Sequence, residues 1–293
     1  MTRIDMGTPA ARIDAHHHVW DLSVRDQDWI RGPELAALRR NFTLPDLAPE
    51  AKAHGVTATI LVQTITVPEE TPEFLALAAR SDLVAGVVGW TDLTAPDVAS
   101  TLAALRELPG GEHLVGIRHQ VQGEPDPEWL LRPDVRRGLS AVAAAGLTYD
   151  LIVTPPQLPS CIQAAAAHPE LTFVLDHLGK PPIASGGLEP WSTHIRALAG
   201  LPNTVAKLSG LVTEAAPGRS TPADLRPYTE TALDAFGPAR LMFGSDWPVC
   251  TVRAAYGEVV RSAQQLTETL TLDERAEVFA GTARRVYLSP SGV

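Results

Sequence analysis

The tripeptide His16-His17-His18 carries two imidazoles at a spacing of two residues, between the β-type residues Ile13 and Val19. Alternate residues of a strand point to the same face, so we expect His16 and His18 to share a face and His17 to point away from it. Two imidazoles on one face can ligate one divalent metal ion or polarise one substrate oxygen. A leftover tag would lie in a polar tail, so the flanking residues favour a built site.

The chain has the length and composition of one domain that acts on small molecules. Its 293 residues and 45% hydrophobic content are ordinary for a single α/β barrel. A net charge of −10 disfavours a general nucleic-acid binder, so a small molecule is the expected partner, and a homo-oligomer stays open. Only Cys161 and Cys250 are present, and no apolar run approaches the roughly 18 residues of a membrane span. We therefore expect a cytoplasmic protein without disulfides and without membrane contact.

Eight short apolar runs rich in β-branched residues recur along the chain, separated by helix-like segments. The runs cover residues 13–20, 56–64, 84–91, 114–121, 147–153, 171–178, 204–210 and 240–247. Their starts lie roughly 25 to 45 residues apart, and near-continuous apolarity is typical of parallel strands buried on both faces. Helical segments are predicted at residues 44–54, 99–108, 133–145 and 224–236, each stopped by a following glycine or Pro-Gly, and at residues 272–287 as a closing helix.

Eight βα units favour a closed (β/α)8 barrel over a doubly wound open sheet, which alternates strand and helix in the same way. An open dinucleotide-binding sheet would carry a Gly-rich loop after its first strand, and none follows residues 13–20. We therefore predict an α/β protein with one TIM-like barrel domain over residues 12–293, preceded by a tail of residues 1–11.

Polar side chains lie at the carboxyl ends of seven of the predicted strands. They are His16, His18, Gln63, Trp90, Asp92, Arg118, His119, Asp176, His177, Lys207, Ser209, Ser245 and Asp246. Catalytic groups of such barrels lie at the carboxyl ends of the strands, and unpaired charges are costly to bury in a core. The pattern predicts one preorganised polar pocket at this end of the barrel.

Three of these residues also have a purely structural interpretation. His177 could be a hydrogen-bonded core histidine, Asp246 could cap the following turn, and Arg118 could pair with Asp150. The structural interpretation needs three unrelated explanations for residues that all lie at the carboxyl ends of strands of the same barrel. A functional site explains the three residues together.

Several segments carry a family resemblance. The HxH of the first strand, Asp-His-Leu-Gly-Lys-Pro at 176–181 and Gly-Ser-Asp-Trp-Pro at 244–248 resemble the amidohydrolase superfamily, in particular its amidohydrolase-2 branch. Residues 13–21, Asp-Trp-Ile at 28–30, Gly-Ile-Arg-His at 116–119 and Lys-Leu-Ser-Gly at 207–210 resemble the sugar-lactonase group typified by L-fucono-1,5-lactonase and L-rhamnono-lactonase. The resemblance covers residues 12–287 and implies a (β/α)8 lactone hydrolase of carbohydrate catabolism.

The resemblance implies roles for four residues. His16 and His18 match the metal pair of the first strand, His177 matches a later-strand histidine, and Asp246 matches the aspartate that activates water. The resemblance implies that these four residues are the candidate metal ligands. Arg118 stands where binuclear members place a bridging lysine or glutamate, so we expect zero or one divalent ion, zinc before others. Some lactonases of the branch work without a metal.

Hydrolysis of a lactone needs a water, a base and a group that holds the developing oxyanion. We expect Asp246 to accept the proton of the attacking water while His16, His18 and His177 polarise the ester carbonyl, directly or through one cation. A carboxylate is a weak base at neutral pH, so either burial raises its pKa or a metal acidifies its water.

Other polar and aromatic residues are expected to contact the substrate. Hydrogen bonds to sugar hydroxyls or a carboxylate are predicted from Gln63, Arg118, His119 and Lys207, and ring packing from Trp29 and Trp90. Three other functions stay open: a metal-dependent non-oxidative decarboxylase of the same branch, a hydrolase of a pyrone- or muconolactone-type lactone, and a non-catalytic sugar-acid binder.

Overall fold

Eight parallel strands form one sheet in the order β1 to β8, in a computed structural model that describes residues 11–289. The strands are β1 Arg12–His17, β2 Val56–Val62, β3 Val84–Gly89, β4 Leu114–His119, β5 Thr148–Leu151, β6 Phe173–Leu175, β7 Thr204–Leu208 and β8 Leu241–Phe243. Each observed strand lies within or beside one of the eight predicted runs. The predicted (β/α)8 barrel is confirmed.

Helices follow the strands around the outside of the barrel. They are α1 Leu44–Ala53, α2 Glu70–Ala78, α3 Val98–Arg106, α4 Pro133–Ala144, α5 Leu158–Ala167, α6 Trp191–Ala199, α7 Leu211–Glu214, α8 Pro222–Phe236, α9 Tyr256–Leu266 and α10 Leu272–Ala276. The predicted closing helix begins as α10 and continues through π-helical turns at Glu277–Gly281 and Arg284–Leu288. In the described residues no helix combines the length and the apolarity that crossing a bilayer requires.

The barrel closes where the first strand meets the segment after the last one. The backbone N–H of Asp246 donates to the carbonyl of His16 at 2.8 Å, and that of His18 donates to the carbonyl of Trp247 at 2.7 Å. This closure places the carboxyl end of β8 directly beside His16 and His18. The predicted tail of residues 1–11 lies, except for Ala11, outside the described residues.

Candidate active site

Two histidines of the first strand and one aspartate of the last converge at the carboxyl end of the barrel. The Nε2 atoms of His16 and His18 lie 3.1 Å apart. Oδ1 of Asp246 lies 3.8 Å from Nε2 of His16 and 3.6 Å from Nε2 of His18. All three side chains are buried, so their polar atoms interact in a low-dielectric environment.

The surroundings of the two imidazoles determine which nitrogen of each carries a proton. Nδ1 of His18 lies 2.8 Å from the carbonyl of Val62 and must donate to it, which leaves the Nε2 lone pair exposed to the site. Nδ1 of His16 lies 3.3 Å from Oδ1 of Asp176 and 3.2 Å from Nζ of Lys207, so it faces both an acceptor and a donor. Burial holds the pKa of His16 well below its ordinary value, and this imidazole is therefore neutral.

These donor atoms fit one divalent cation. Ligand atoms of a tetrahedral zinc site lie roughly 3.4 Å from one another, close to the separations among His16, His18 and Asp246. When His16 donates through Nδ1 to Asp176, its Nε2 is free to ligate. When Nδ1 accepts from Lys207 instead, Nε2 carries the proton and can donate to His18. The site thus accommodates one cation or one proton between the two imidazoles.

A third histidine approaches the same oxygen of Asp246, and its ring centroid lies 4.5 Å from that of His16. Nε2 of His177 lies 3.8 Å from Oδ1 of Asp246, and its Nδ1 lies 2.8 Å from Oγ of Ser209. His177 adopts a φ of 53° in a left-handed turn after β6. Burial lowers the pKa of His177 to about 4, so the imidazole is neutral at pH 7. Three imidazoles, two of them held neutral by burial, therefore lie around one carboxylate.

Gly210 leaves the space that the His177 ring occupies. Gly210 has a φ of 64°, and a Cβ built there would lie 2.5 Å from Nδ1 of His177. We expect Gly210→Ala to lower the free energy of unfolding by about 1–3 kcal/mol, because alanine is strained in the left-handed region and would push the imidazole aside. Urea unfolding measures the change. Gly123→Ala, whose new Cβ would meet nothing within 4 Å, is the control, and equal stability of the two variants would contradict the close approach.

The environment of Asp246 sets its charge. Burial alone would raise its pKa, but in the acidic range where this carboxylate titrates the protonated His177, together with the hydrogen bond from His18, outweighs burial, and the pKa of Asp246 lies below its ordinary value. The residue is ionised at neutral pH. Burial thus does not provide the raised pKa that was one of the two expected routes to a stronger base.

A buried cluster of charges lies beneath the histidines. Nζ of Lys207 lies 2.6 Å from Oδ2 of Asp150 and 3.0 Å from Oδ1 of Asp176. Nη1 of Arg118 lies 2.8 Å from Oδ2 of Asp176. The phenol of Tyr287, from the closing segment, donates to Oδ2 of Asp150 at 2.7 Å. Two cations therefore compensate two carboxylates in the barrel interior.

The pairing in this cluster corrects the structural alternative for Arg118. Arg118 and Asp150 are register partners on β4 and β5, yet the guanidinium pairs with Asp176 after β6, and Asp150 pairs with Lys207 on β7. Side chains inside a barrel form layers from alternate strands, which brings β4 to β6 and β5 to β7. Burial raises the pKa of Asp150, whereas at Asp176 the neighbouring Lys207 and His16 outweigh burial and hold the pKa well below its ordinary value.

Two of the predicted substrate contacts are internal to the protein. Gln63 is fully buried, accepts a hydrogen bond from Nε of Arg118 at 2.9 Å through Oε1, and accepts another from Nη2 of Arg118 through its carbonyl. Lys207 is also fully buried among the carboxylates. The structure therefore places Gln63 behind Arg118 and Lys207 beneath His16, with neither facing open space.

His119 and Trp90 form a separate aromatic cluster at the end of β4. The indole N–H of Trp90 donates to Nδ1 of His119 at 3.0 Å, and Nε2 of His119 lies 2.7 Å from Oε1 of Glu124. The imidazole stacks on Trp129, with ring centroids 4.2 Å apart and planes 7° from parallel. These contacts occupy both ring nitrogens of His119 and one of its faces.

A cavity of about 140 Å³ opens beside His18, His177 and Asp246, whereas His16 is fully buried and does not line it. Its polar and aromatic lining includes His18, Trp29, Thr64, Arg118, Gln120, Gln122, His177, Lys180, Thr213, Glu214 and Asp246. The loop residues Gln120, Gln122, Lys180 and Glu214 were not predicted as site residues, because they follow the strand ends rather than occupy them. The volume is below the roughly 300–1,000 Å³ of sites for drug-sized ligands, so the cavity suits a small substrate.

Comparisons with known proteins point to one family. The Amidohydro_2 family model, for amidohydrolases, matches residues 13–288. Two proteins named L-fucono-1,5-lactonase are similar to the chain, 42% identical in Burkholderia multivorans and 39% in Burkholderia ambifaria, each over 96% of this chain and 97% of the relative. A crystal structure of a Burkholderia multivorans amidohydrolase with bound zinc is 40% identical and has a TM-score of 0.88, over 96% of this chain and 100% of that chain. The chain therefore belongs to the Amidohydro_2 family of amidohydrolases.

Proposed function

We propose that the protein is a carboxylic-ester hydrolase that opens the ring of a sugar-acid lactone, an aldonolactone such as fucono- or rhamnono-lactone. The observation that carries the proposal is the ionised Asp246, whose Oδ1 lies 3.6 to 3.8 Å from the Nε2 atoms of three histidines beside a small polar cavity. Such an arrangement can accept a proton from water and polarise a carbonyl. The likeness to two L-fucono-1,5-lactonases over nearly the whole chain supports the substrate class.

In this mechanism Asp246 orients the attacking water and accepts its proton. The carbonyl carbon of the lactone then becomes tetrahedral, and its oxygen gains negative charge. Arg118 lines the cavity, and Asp176 and Gln63 hold its guanidinium in place, so it can donate to that oxygen. Protonated Asp246 returns the proton to the ring oxygen as the C–O bond breaks. The leaving hydroxyl stays attached to the product, a sugar acid.

One divalent cation, zinc before other metals, completes the proposed site. His16, His18 and Asp246 would hold it, and His177 stays free to donate or to ligate. Bound there, the cation would acidify water and withdraw electrons from the carbonyl. This contribution matters because the pKa of Asp246 is lowered, which makes the carboxylate a weak base on its own.

The alternative trio of His16, Asp176 and His177 is less suited to a cation. Asp176 is already compensated by Arg118 and Lys207, at 2.8 and 3.0 Å. A cation near it would add a third positive charge to a buried cluster. We therefore propose one metal ion per chain rather than two.

Metal content provides a direct test. Protein purified without added metal is expected to contain at most one equivalent of divalent metal per chain, with zinc the main element in mass spectrometry. Removal of that ion by a chelator should abolish most of the lactonase activity, and one equivalent of zinc should restore it, because Asp246 alone is a weak base. Two tightly bound equivalents would contradict the single-ion site. Full activity of the demetallated protein would favour the form of the site in which a proton, rather than a metal ion, lies between His16 and His18.

Hydrolysis of a small panel of compounds tests the reaction class. The panel contains L-fucono- and L-rhamnono-lactone, a pyrone dicarboxylate lactone and a dihydroxybenzoate. Proton release measures hydrolysis of the lactones, and release of carbon dioxide measures decarboxylation of the dihydroxybenzoate. We expect turnover of the aldonolactones. Release of carbon dioxide from the aromatic acid would favour a decarboxylase, and turnover of the pyrone alone would favour that lactone class. Binding without turnover in every case would indicate a sugar-acid binder.

The same proposal places the protein in the cytoplasm with a small molecule as its partner. Cys161 and Cys250 are both buried free thiols, as is usual in a reducing compartment. The net charge of −10 opposes association with nucleic acid or with anionic lipid.

A further inference from the structure

Lys180 and Glu214 form an ion pair on the wall of the cavity that the mechanism above does not use. Nζ of Lys180 lies 3.5 Å from Oε1 of Glu214. The two side chains are 24% and 25% exposed, and both line the same cavity as His177 and Asp246. Ion pairs that solvent reaches usually contribute little to the free energy of unfolding. The position of this partly exposed pair in the site therefore needs another explanation.

The backbone around Lys180 is strained in a way that points its side chain into the cavity. Four consecutive residues from His177 to Lys180 have positive φ angles of 53°, 52°, 68° and 54°, and only Gly179 among them adopts this region without strain. Left-handed backbone is costly for the other three, and such strain concentrates at functional sites. In a turn with three residues per repeat, the first and fourth side chains lie on the same side. Lys180 therefore lines the cavity beside His177.

Glu214 reaches the cavity from a different element. It ends the short helix α7, which follows β7, and its neighbour Thr213 also lines the cavity. Burial raises the pKa of Glu214, although Lys180 opposes this shift. A carboxylate and an ammonium from two separate loops thus meet at one point of the wall.

The separation of this pair suits a bridging hydroxyl group. Charge-assisted N–H···O bonds are typically about 2.7–2.9 Å long, so at 3.5 Å the two groups do not satisfy each other. A hydroxyl donates one hydrogen bond and accepts others, so it can accept from the ammonium and donate to the carboxylate at the same time. A carboxylate substituent would be repelled by Glu214, and a bare methylene would give neither charged group the short hydrogen bond that their 3.5 Å separation lacks.

We infer that Lys180 and Glu214 together bind a ring hydroxyl of the substrate and thereby select hydroxylated lactones over unsubstituted and acidic ones. The inference rests on the proposed lactonase function and deepens it. It makes the pair a specificity determinant, whereas Asp246 and the histidines act on the ester itself.

The test compares two lactones of the same ring size, an aldono-1,5-lactone and δ-valerolactone, which has no hydroxyls. Lys180→Met and Glu214→Ala should each lower kcat/KM for the aldonolactone by about 10- to 100-fold and that for δ-valerolactone by less than about threefold. Glu214→Gln retains an acceptor oxygen and should lose less. The double variant should lose little more than one single variant, because both side chains hold the same hydroxyl.

Two controls address folding and charge. Lys180→Asn also lacks the ammonium but tolerates left-handed backbone, so it should reproduce the specificity change of Lys180→Met in a protein with a wild-type melting temperature. Glu73→Ala removes the carboxylate of another ion pair, with Arg25 at 3.0 Å, outside the cavity. It should change kcat/KM for both lactones by less than about twofold.

The outcomes separate this inference from the proposed function. Wild-type turnover of the aldonolactone together with equal losses for both lactones in the Lys180 and Glu214 variants would overturn the inference alone. Absence of wild-type turnover on any lactone would instead overturn the proposed function, and the inference with it. A selective loss for the hydroxylated lactone, absent in Glu73→Ala, is the result that supports both.

Discussion

Replacement of Asp246 by Asn is expected to lower kcat/KM for the best lactone by about 100-fold or more, the effect typical of a lost general base. The amide has nearly the shape of the carboxylate but cannot accept the proton of water. The loss should appear in kcat more than in KM, since Asp246 acts on water rather than on the remote parts of the substrate. Steady-state kinetics of the purified variant measure it.

The stability of the Asp246→Asn variant should change little. The backbone contact that fixes this position, from N–H of residue 246 to the carbonyl of His16 at 2.8 Å, does not involve the carboxylate. Asparagine also tolerates the φ of 58° found here. Asp234→Asn, on the exposed side of α8, is the matched control. Turnover of Asp246→Asn close to that of this control would exclude Asp246 as the base.

The periodicity of the sequence accounts for much of the fold and for the location of the site. A spacing of two residues was sufficient to place His16 and His18 on one face, because strand geometry alone determines that relation. Asp246 and His177 followed from the rule that polar residues at the carboxyl ends of barrel strands meet. These predictions needed only local structure and one property of the architecture.

Contacts that depend on layers, side-chain reach and loop conformation could not be predicted in the same way. Arg118 and Asp150 are neighbours in register, yet the long arginine side chain reaches Asp176 two strands away. Lys180 faces the cavity because the residues before it form a left-handed turn, and no hydrophobic period reveals such a turn. Tyr287 reaches Asp150 from the closing segment, which is separated from β5 by most of the second half of the barrel.

The second large effect is expected from Lys207, whose ammonium is fully buried between Asp150 and Asp176. Lys207→Met preserves most of the side-chain volume but, among the described residues, leaves Arg118 as the one Lys or Arg side chain paired with either buried carboxylate. Breaking a buried ion pair in this way typically costs about 3–5 kcal/mol, more than removal of both partners. Urea unfolding should show this decrease in the free energy of unfolding at pH 7.

The destabilisation of Lys207→Met should depend on pH in a defined direction. Burial already raises the pKa of Asp150, with Lys207 as the main opposing influence. Without that ammonium, the folded-state pKa rises further above the unfolded-state value. When a carboxyl group has a higher pKa in the folded than in the unfolded state, the free energy of unfolding of the protein decreases as pH rises above the unfolded-state pKa. The deficit relative to wild type should therefore grow between mildly acidic and mildly alkaline pH.

A compensating variant distinguishes charge imbalance from lost packing. Lys207→Met combined with Asp150→Asn removes one charge of each sign and leaves Asp176 paired with Arg118 at 2.8 Å. In the wild-type protein the phenol of Tyr287 donates to Oδ2 of Asp150 at 2.7 Å. The amide oxygen of an asparagine at residue 150 can still accept this hydrogen bond. We expect the double variant to regain most of the lost stability and its pH dependence to approach that of wild type. If the double variant is as unstable as Lys207→Met at every pH, the lost free energy of unfolding arises from packing around the side chain of Lys207. The balance of buried charges would then not be what stabilises the cluster beneath the histidines.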